Sequence, residues 1–347
     1  MQDTTPLPRP TAAPGWQREL AHAVTTLDEL AAALELPAAS LGKGAAAAAD
    51  FALRVPRGFV ARMRKGDPHD PLLLQVLPLA RELLPVRGYG SDPLDEVAGL
   101  QHPGLLQKYR GRALLVTTGA CAVNCRYCFR RDFPYASASL TSQALDGVLQ
   151  ALADDTGIEE LILSGGDPLS LNDRRLAVLI GAVEDMHHVR RIRIHTRLPI
   201  VLPSRVDAGL LGVLAQTTRQ LVVVLHANHP QELDADVAGA AARLRSACSL
   251  LLNQSVLLRG VNDEPATLVA LSQRLFDIGV LPYYLHLLDP VRGAAHFHVG
   301  ERRARRLMGE VAAALPGYLV PRLARERPGA PAKVVLAPML HKPAHAT

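Results

Sequence analysis

The stretch Cys121-Ala122-Val123-Asn124-Cys125-Arg126-Tyr127-Cys128 sets three cysteines in a CxxxCxxC spacing, and Phe129-Arg130-Arg131-Asp132-Phe133-Pro134-Tyr135 follows it. The apolar run 113–117 leads in, and Thr118-Gly119-Ala120 makes a turn of small residues. The cysteines therefore lie on a loop leaving a buried strand, where three sulfurs can converge on one centre. Thiolates hold soft metals, and four of them complete a [4Fe–4S] cluster. Cys121, Cys125 and Cys128 have no fourth cysteine nearby, which leaves one iron open to another ligand. A zinc site completed by a histidine is the competing reading. Zinc knuckles pair a short CxxC with a second CxxC or a histidine pair, whereas Cys248 stands alone in an apolar helical stretch.

Downstream of Gly111 the rhythm is strand, loop, helix, repeated. Apolar or β-branched runs at 113–117, 161–164, 191–196, 221–226, 251–258 and 281–288 read as strands, with helical stretches near 141–153, 172–185, 206–216, 235–248 and 265–278. Continuously apolar strands suit parallel strands covered on both faces. Strands alternating with helices imply βαβ units and an α/β fold, here a partial (β/α)6 barrel. Chemistry in barrels collects at the C-terminal strand ends. Each candidate strand ends in polar or glycine residues, including Ser164-Gly165-Gly166-Asp167, His195-Thr196-Arg197, His226 and Asp289.

Upstream, helix follows helix with no convincing strand, and 70–85 reads as one helix capped by Asp70. The expected organisation is a disordered N-terminus over 1–15, a helical arm over 16–110 and the barrel over 111–298. A C-terminal helix and lysine-bearing segment over 299–340 and a tail over 341–347 complete it.

The chain has 347 residues, enough for one large core. No run reaches the length of a membrane span, and the first residues lack the basic-then-apolar pattern of a signal peptide. Three clustered cysteines out of four fit a reducing compartment, so a cytoplasmic protein is expected, with no membrane partner. The formal net charge of +5 is spread along the chain as arginine, and the densest run, 301–310, has mixed signs at helical spacing. A solvated helix face is the expectation there, and no nucleic-acid partner.

CxxxCxxC resembles the cluster motif of the radical S-adenosylmethionine (SAM) enzymes. The glycine run 164–169 (SGGDPL) lies one βα unit on, and resembles their SAM-binding glycine motif. On the residues alone, His226 and Gln254 read equally as structural strand-end groups, and Asp289, before Pro290, as a turn residue. Lys333 is one of five lysines and sits in the loop PGAPAK, a plausible place to tether a carbonyl cofactor.

Together CAVNCRYCFRRDFPY, LILSGGDPLS, RIRIHTRLPIVLP, LLNQSVLLRGVND, LPYYLHLLDPVRGAAHF and GYLVPRLARE resemble the lysine 2,3-aminomutase family, from about Phe51 to Lys333. The likeness is narrower to its short bacterial branch. That resemblance implies a radical SAM barrel with three cofactors: the [4Fe–4S] cluster on the three cysteines, SAM, and pyridoxal 5′-phosphate (PLP). It places Ser164, Gly165, Gly166, Asp167, His226 and Gln254 around SAM, and Tyr109, Arg112 and Lys333 at PLP, with Arg112 on the phosphate. It sets Arg130 on the substrate carboxylate, and Asp289 and Glu326 on the ε-ammonium. The implied activity is conversion of (S)-α-lysine to (R)-β-lysine, driven by an external electron donor. The product would pass to a lysyl ligase that modifies translation elongation factor P. The competing activities are an aminomutase for another amino acid, such as glutamate, and a radical SAM enzyme acting on RNA or protein. Glu326 stands where longer family members carry aspartate, and no counterpart of their zinc-binding C-terminal extension is expected.

Overall fold

A computed structural model describes residues 15–340, apart from 38–40, 42, 43, 139 and 141. The expected disordered start, up to residue 14, and the tail 341–347 lie outside the described residues. The arm begins with α1 (Gly15–Ala21), α2 (Leu27–Leu34), α3 (Ala45–Asp50), α4 (Arg57–Val60) and α5 (Pro71–Leu74). Thr26 and Glu29 close a capping box on α2, and the Asp70 carboxylate accepts from Leu72 and Leu73 N–H at the start of α5.

The single helix expected over 70–85 does not form. After α5 the chain makes only a 3-10 turn at Ala80–Leu83, because Pro78 removes a backbone donor and holds its predecessor extended. The arm also contains strands that the sequence reading missed, β1 (Leu100–His102) and β2 (Leu105–Tyr109), antiparallel to each other. They are short, β1 mostly exposed and β2 buried only at Leu105 and Leu106, and each owes its conformation to pairing with the next strand. Gly104 and Gly111, at φ +77 and +79, make the two turns.

From there the βα alternation runs as read. The strands are β3 (Arg112–Val116), β4 (Glu160–Ser164), β5 (Arg191–Thr196), β6 (Gln220–His226), β7 (Leu250–Leu257) and β8 (Leu281–Leu287). Between and beside them lie α6 (Ser142–Asp154), α7 (Asp173–Glu184), α8 (Leu198–Val201), α9 (Ala208–Leu214), α10 (Ala235–Arg245) and α11 (Pro265–Asp277). Asn172, Asp207 and Asp234 cap α7, α9 and α10 through backbone N–H groups. Helix α12 (Glu301–Ala314) then returns the chain to β9 (Arg322–Arg325), parallel to β8, and β10 (Val334–Val335) closes the edge antiparallel to it. The sheet runs β1 to β10 in sequence order, with β3 to β9 parallel, and it is not closed by hydrogen bonds. Six βα units therefore end in a seventh parallel strand, an open α/β barrel. No helix among the described residues is long and apolar enough to cross a membrane.

The core lies between sheet and helices. Leu176, Leu179, Ile180 and Val183 of α7 and Val237, Ala240 and Leu244 of α10 pack with Leu161, Ile192 and Leu221. A second cluster joins Leu257 and Leu285 to Leu307, Met308 and Val311 of α12 and to Leu323. Helix α12 turns its arginines outward, where Arg303 pairs with Asp263 and Glu264, and Arg305 with Glu301. The arm grips the cysteine loop from outside. Arg126 and Glu82 form a fully buried ion pair at 2.6 Å, and Arg126 also donates to Phe51 and Ala47 carbonyls.

Candidate active site

A cavity of ≈ 550 Å³ opens at the C-terminal ends of the parallel strands, and every candidate residue named above lines it. One end is built by the loop after β3. Its backbone is stapled to the turn after β4: Thr117 donates to the Ser164 carbonyl at 2.9 Å, Gly166 to Thr118 at 2.6 Å, and Asp167 to Ala120 at 2.8 Å. A Cβ on Gly165 would sit 2.6 Å from the Thr118 carbonyl oxygen, and one on Gly166 2.4 Å from that of Ala120, so only glycine allows the two loops to approach this closely. The Asp167 carboxylate is fully engaged in holding this turn. One oxygen accepts from Leu169 N and Thr196 Oγ1 at 3.0 and 2.7 Å, the other from Arg197 N and Leu198 N at 2.7 and 3.0 Å.

Cys121, Cys125 and Cys128 face the cavity. Burial pushes the Cys128 thiol up to about 11, with Cys125 adding to the rise. Buried thiols of this kind ionise when a cationic centre binds them. Among the described residues, no three His, Cys, Asp or Glu groups are placed to share a single metal ion. A cubane is gripped at three separate irons, so its ligands need to face one cavity rather than meet at a point. Three thiols beside a glycine-lined cradle fit that donor set. His226, held near Tyr127 OH at 3.4 Å, lies on the same side, and its imidazole is lowered to about 3, chiefly by burial. Gln254 lines the cavity beside a register irregularity at Asn253/Gln254, a distortion that re-aims side chains.

The other end is a lattice of charges. Lys333 Nζ pairs with Glu326 Oε1, and the Tyr109 hydroxyl donates to Glu326 Oε2 at 3.2 Å. Lys108 lies 3.7 Å from Glu326 and 2.9 Å from Glu96. Arg112 stacks over Tyr109, its guanidinium carbon 5.0 Å from the ring centroid. Asp289 has no side-chain hydrogen-bond partner among the described residues. Burial raises its carboxyl to about 7, Glu326 adds to the rise, and Lys333 and Lys108 oppose it.

Arg130 joins the two ends. Its Nε and Nη2 donate to both oxygens of Glu96 at 2.6 and 2.9 Å, and its Nη1 to Ser164 Oγ at 3.0 Å. Glu96 is 3% exposed. Burial works against its ionised form, but Arg130 and Lys108 outweigh that and hold the carboxyl down to about 2. The sequence reading missed Glu96, because a loop acid paired across 34 residues leaves no local signal. It also missed Arg193, Tyr284 and His286, and noted His195 only as part of a polar strand end; all four line the cavity. These were findable by period-two alternation, since 193 and 195 share one face of β5, and 284 and 286 one face of β8. His195 Nε2 is buried with no hydrogen-bond partner. Replacing Glu96 by Gln is expected to cost about 3 kcal/mol of stability, because it strands a buried guanidinium. Urea unfolding at neutral pH checks this; an unchanged midpoint would show the pair to be dispensable.

The model of the Radical SAM superfamily matches residues 115–270. The L-lysine 2,3-aminomutase of Escherichia coli (strain K12) is 49% identical over 325 residues, covering 92% of this chain and 94% of its own. This chain belongs to the lysine 2,3-aminomutase family. The family's Haemophilus influenzae member is 45% identical over 93% of this chain and 95% of its own. The L-lysine 2,3-aminomutase of Clostridium subterminale is 30% identical over 93% of this chain but only 78% of its own, so it is the longer protein. A solved radical SAM methyltransferase from Sphaerobacter thermophilus aligns at TM-score 0.42 and 16% identity, over 64% of this chain and 68% of its own. As a radical SAM aminomutase, the enzyme is an isomerase that uses a [4Fe–4S] cluster and SAM.

Proposed function

We propose that this aminomutase moves the α-nitrogen of L-lysine to C3, giving (R)-β-lysine, with PLP bound at Lys333. We further propose that the product serves a lysyl ligase acting on elongation factor P. The observation that carries the reading is one cavity with the three cysteines at one end and Lys333, Glu326 and Asp289 at the other. A volume of ≈ 550 Å³ suits a small substrate among bound cofactors.

When bound, the cluster with SAM supplies a primary carbon radical, and PLP supplies a conjugated system through which nitrogen passes between adjacent carbons. Lys333 offers the tethering amine, and Glu326 takes up its positive charge. Tyr109 and Arg112 stand beside that lysine, and the unpartnered His195 Nε2 faces the same space, which fits an anionic, hydrogen-bonding cofactor. Arg130 is braced on one edge by Glu96, which presents its guanidinium to a carboxylate. Asp289 and Glu326 then receive the distal ammonium, and two acids there disfavour glutamate as substrate. Leu94, Ile162, Val256 and Leu288 line the remainder and keep water from the radical.

Asp289 must be ionised to hold a cation, and its carboxyl sits near 7. The kcat/KM for lysine is therefore expected to rise about tenfold per unit as pH approaches 7 from below, then level off. Asp289→Asn should abolish that limb. The deciding assay is anaerobic incubation of reconstituted protein with lysine, SAM, PLP and dithionite, followed by chiral chromatography. (R)-β-lysine formed only with PLP present supports the reading. Turnover without PLP, or release of 5′-deoxyadenosine with no β-lysine, would overturn it and favour a different substrate such as RNA or protein.

A further inference from the structure

The triplet His195-Thr196-Arg197 at the end of β5 is absorbed only in part by the reading above, and its arginine makes a contact with no role in substrate binding. The Arg197 guanidinium is 7% exposed. Its Nη1 donates to Cys125 Sγ at 2.7 Å and to the Tyr127 hydroxyl. Among the described residues, Cys125 is the cluster cysteine to which a side chain donates in this way.

Arg197 does not depend on that sulfur for its place. Nη2 donates to Gln75 Oε1 at 2.7 Å and Glu232 Oε2 at 3.0 Å, and its backbone N–H donates to Asp167 Oδ2 at 2.7 Å. Glu232 is itself fully buried and anchored by Asn228 N and His229 N at 2.8 and 3.0 Å. The guanidinium is thus built into the floor under the cysteine loop, with its charge directed at one sulfur, and Glu232 lies on a different nitrogen of the fork.

We propose that Arg197 tunes the cluster, raising its reduction potential through a charge-assisted hydrogen bond to Cys125 Sγ. Reduction adds one electron from an external reductant to the iron–sulfur core, and part of that charge resides on the ligating sulfurs. A buried cation and N–H donor at a sulfur stabilise the reduced form more than the oxidised one. The role makes the cluster easier to charge before SAM is cleaved. It rests on the cluster that family membership supplies, and not on the lysine or PLP reading.

The test is a potentiometric titration of the reconstituted, SAM-free protein, with the reduced cluster followed by electron paramagnetic resonance. Two variants are compared with the wild type. Arg197→Met with Glu232→Gln removes both buried charges together, so that neither is stranded. Arg197→Lys keeps a cation beside Glu232 but loses the planar fork. With full iron content, the double variant is expected to be about tenfold harder to reduce, a fall of roughly 59 mV for one electron. Arg197→Lys should fall between it and the wild type. An unchanged midpoint in either variant at full iron content would overturn the proposal. So would loss of iron from both, because that would make Arg197 a retention residue. Neither readout involves lysine, so failure here leaves the proposed function standing, and the reverse holds.

Discussion

Cys128→Ser is expected to leave the protein folded but unable to hold its cluster, and to abolish reductive cleavage of SAM. Cys128 is one of three thiols that face the cavity from a single loop, and a serine oxygen, harder and far less acidic than a thiol, is a poor replacement for a thiolate at iron. Loss of an outer-shell partner costs a metal site roughly 10–100-fold; loss of a direct ligand should exceed that. Iron and acid-labile sulfide analysis, with chromatography of 5′-deoxyadenosine, measures the effect. Cys248→Ser is the matched control, because Cys248 lies outside the cavity and should keep full iron content. Normal SAM cleavage by Cys128→Ser would remove the loop from the chemistry.

Asp289→Asn should lower kcat/KM for lysine by about a hundredfold or more. The substitution removes one of the two cavity-lining carboxylates that we propose receive the substrate's distal ammonium. Breaking a buried ion pair on one side costs about 3 kcal/mol or more, which corresponds to that factor. Asparagine keeps the shape, and the carboxylate makes no side-chain hydrogen bond of its own, so folding and cofactor absorbance should persist. Steady-state assays above pH 7 give the cleanest comparison, since the wild-type acid is ionised there. Equal turnover by wild type and variant would mean that the ammonium is held elsewhere.

Much of the fold was written locally. The strands β3 to β8 fall within a residue or two of the apolar runs, since buried parallel strands need continuous apolar sequence whatever lies beside them. The cysteine spacing and the paired glycines were legible for a similar reason. Both describe short-range geometry, and the Cβ clashes at Gly165 and Gly166 show why glycine stands there. Where local preference is weak, the reading failed. β1 and β2 are short strands that exist because a neighbour offers an edge, β3 to β2 and β2 to β1, and Pro78 broke a helix whose apolar pattern ran through it.

The sequence by itself determined the βα alternation, the CxxxCxxC loop and the family. Each of these is carried by residues close together in the chain. The tertiary structure alone decided which polar groups meet: Glu96 on Arg130 across 34 residues, Glu326 on Tyr109 across 217, and Arg197 on Cys125 across 72. Such pairs are selected by burial, which forces a charged side chain removed from water to find a counter-charge or hydrogen-bond partner wherever the fold brings one.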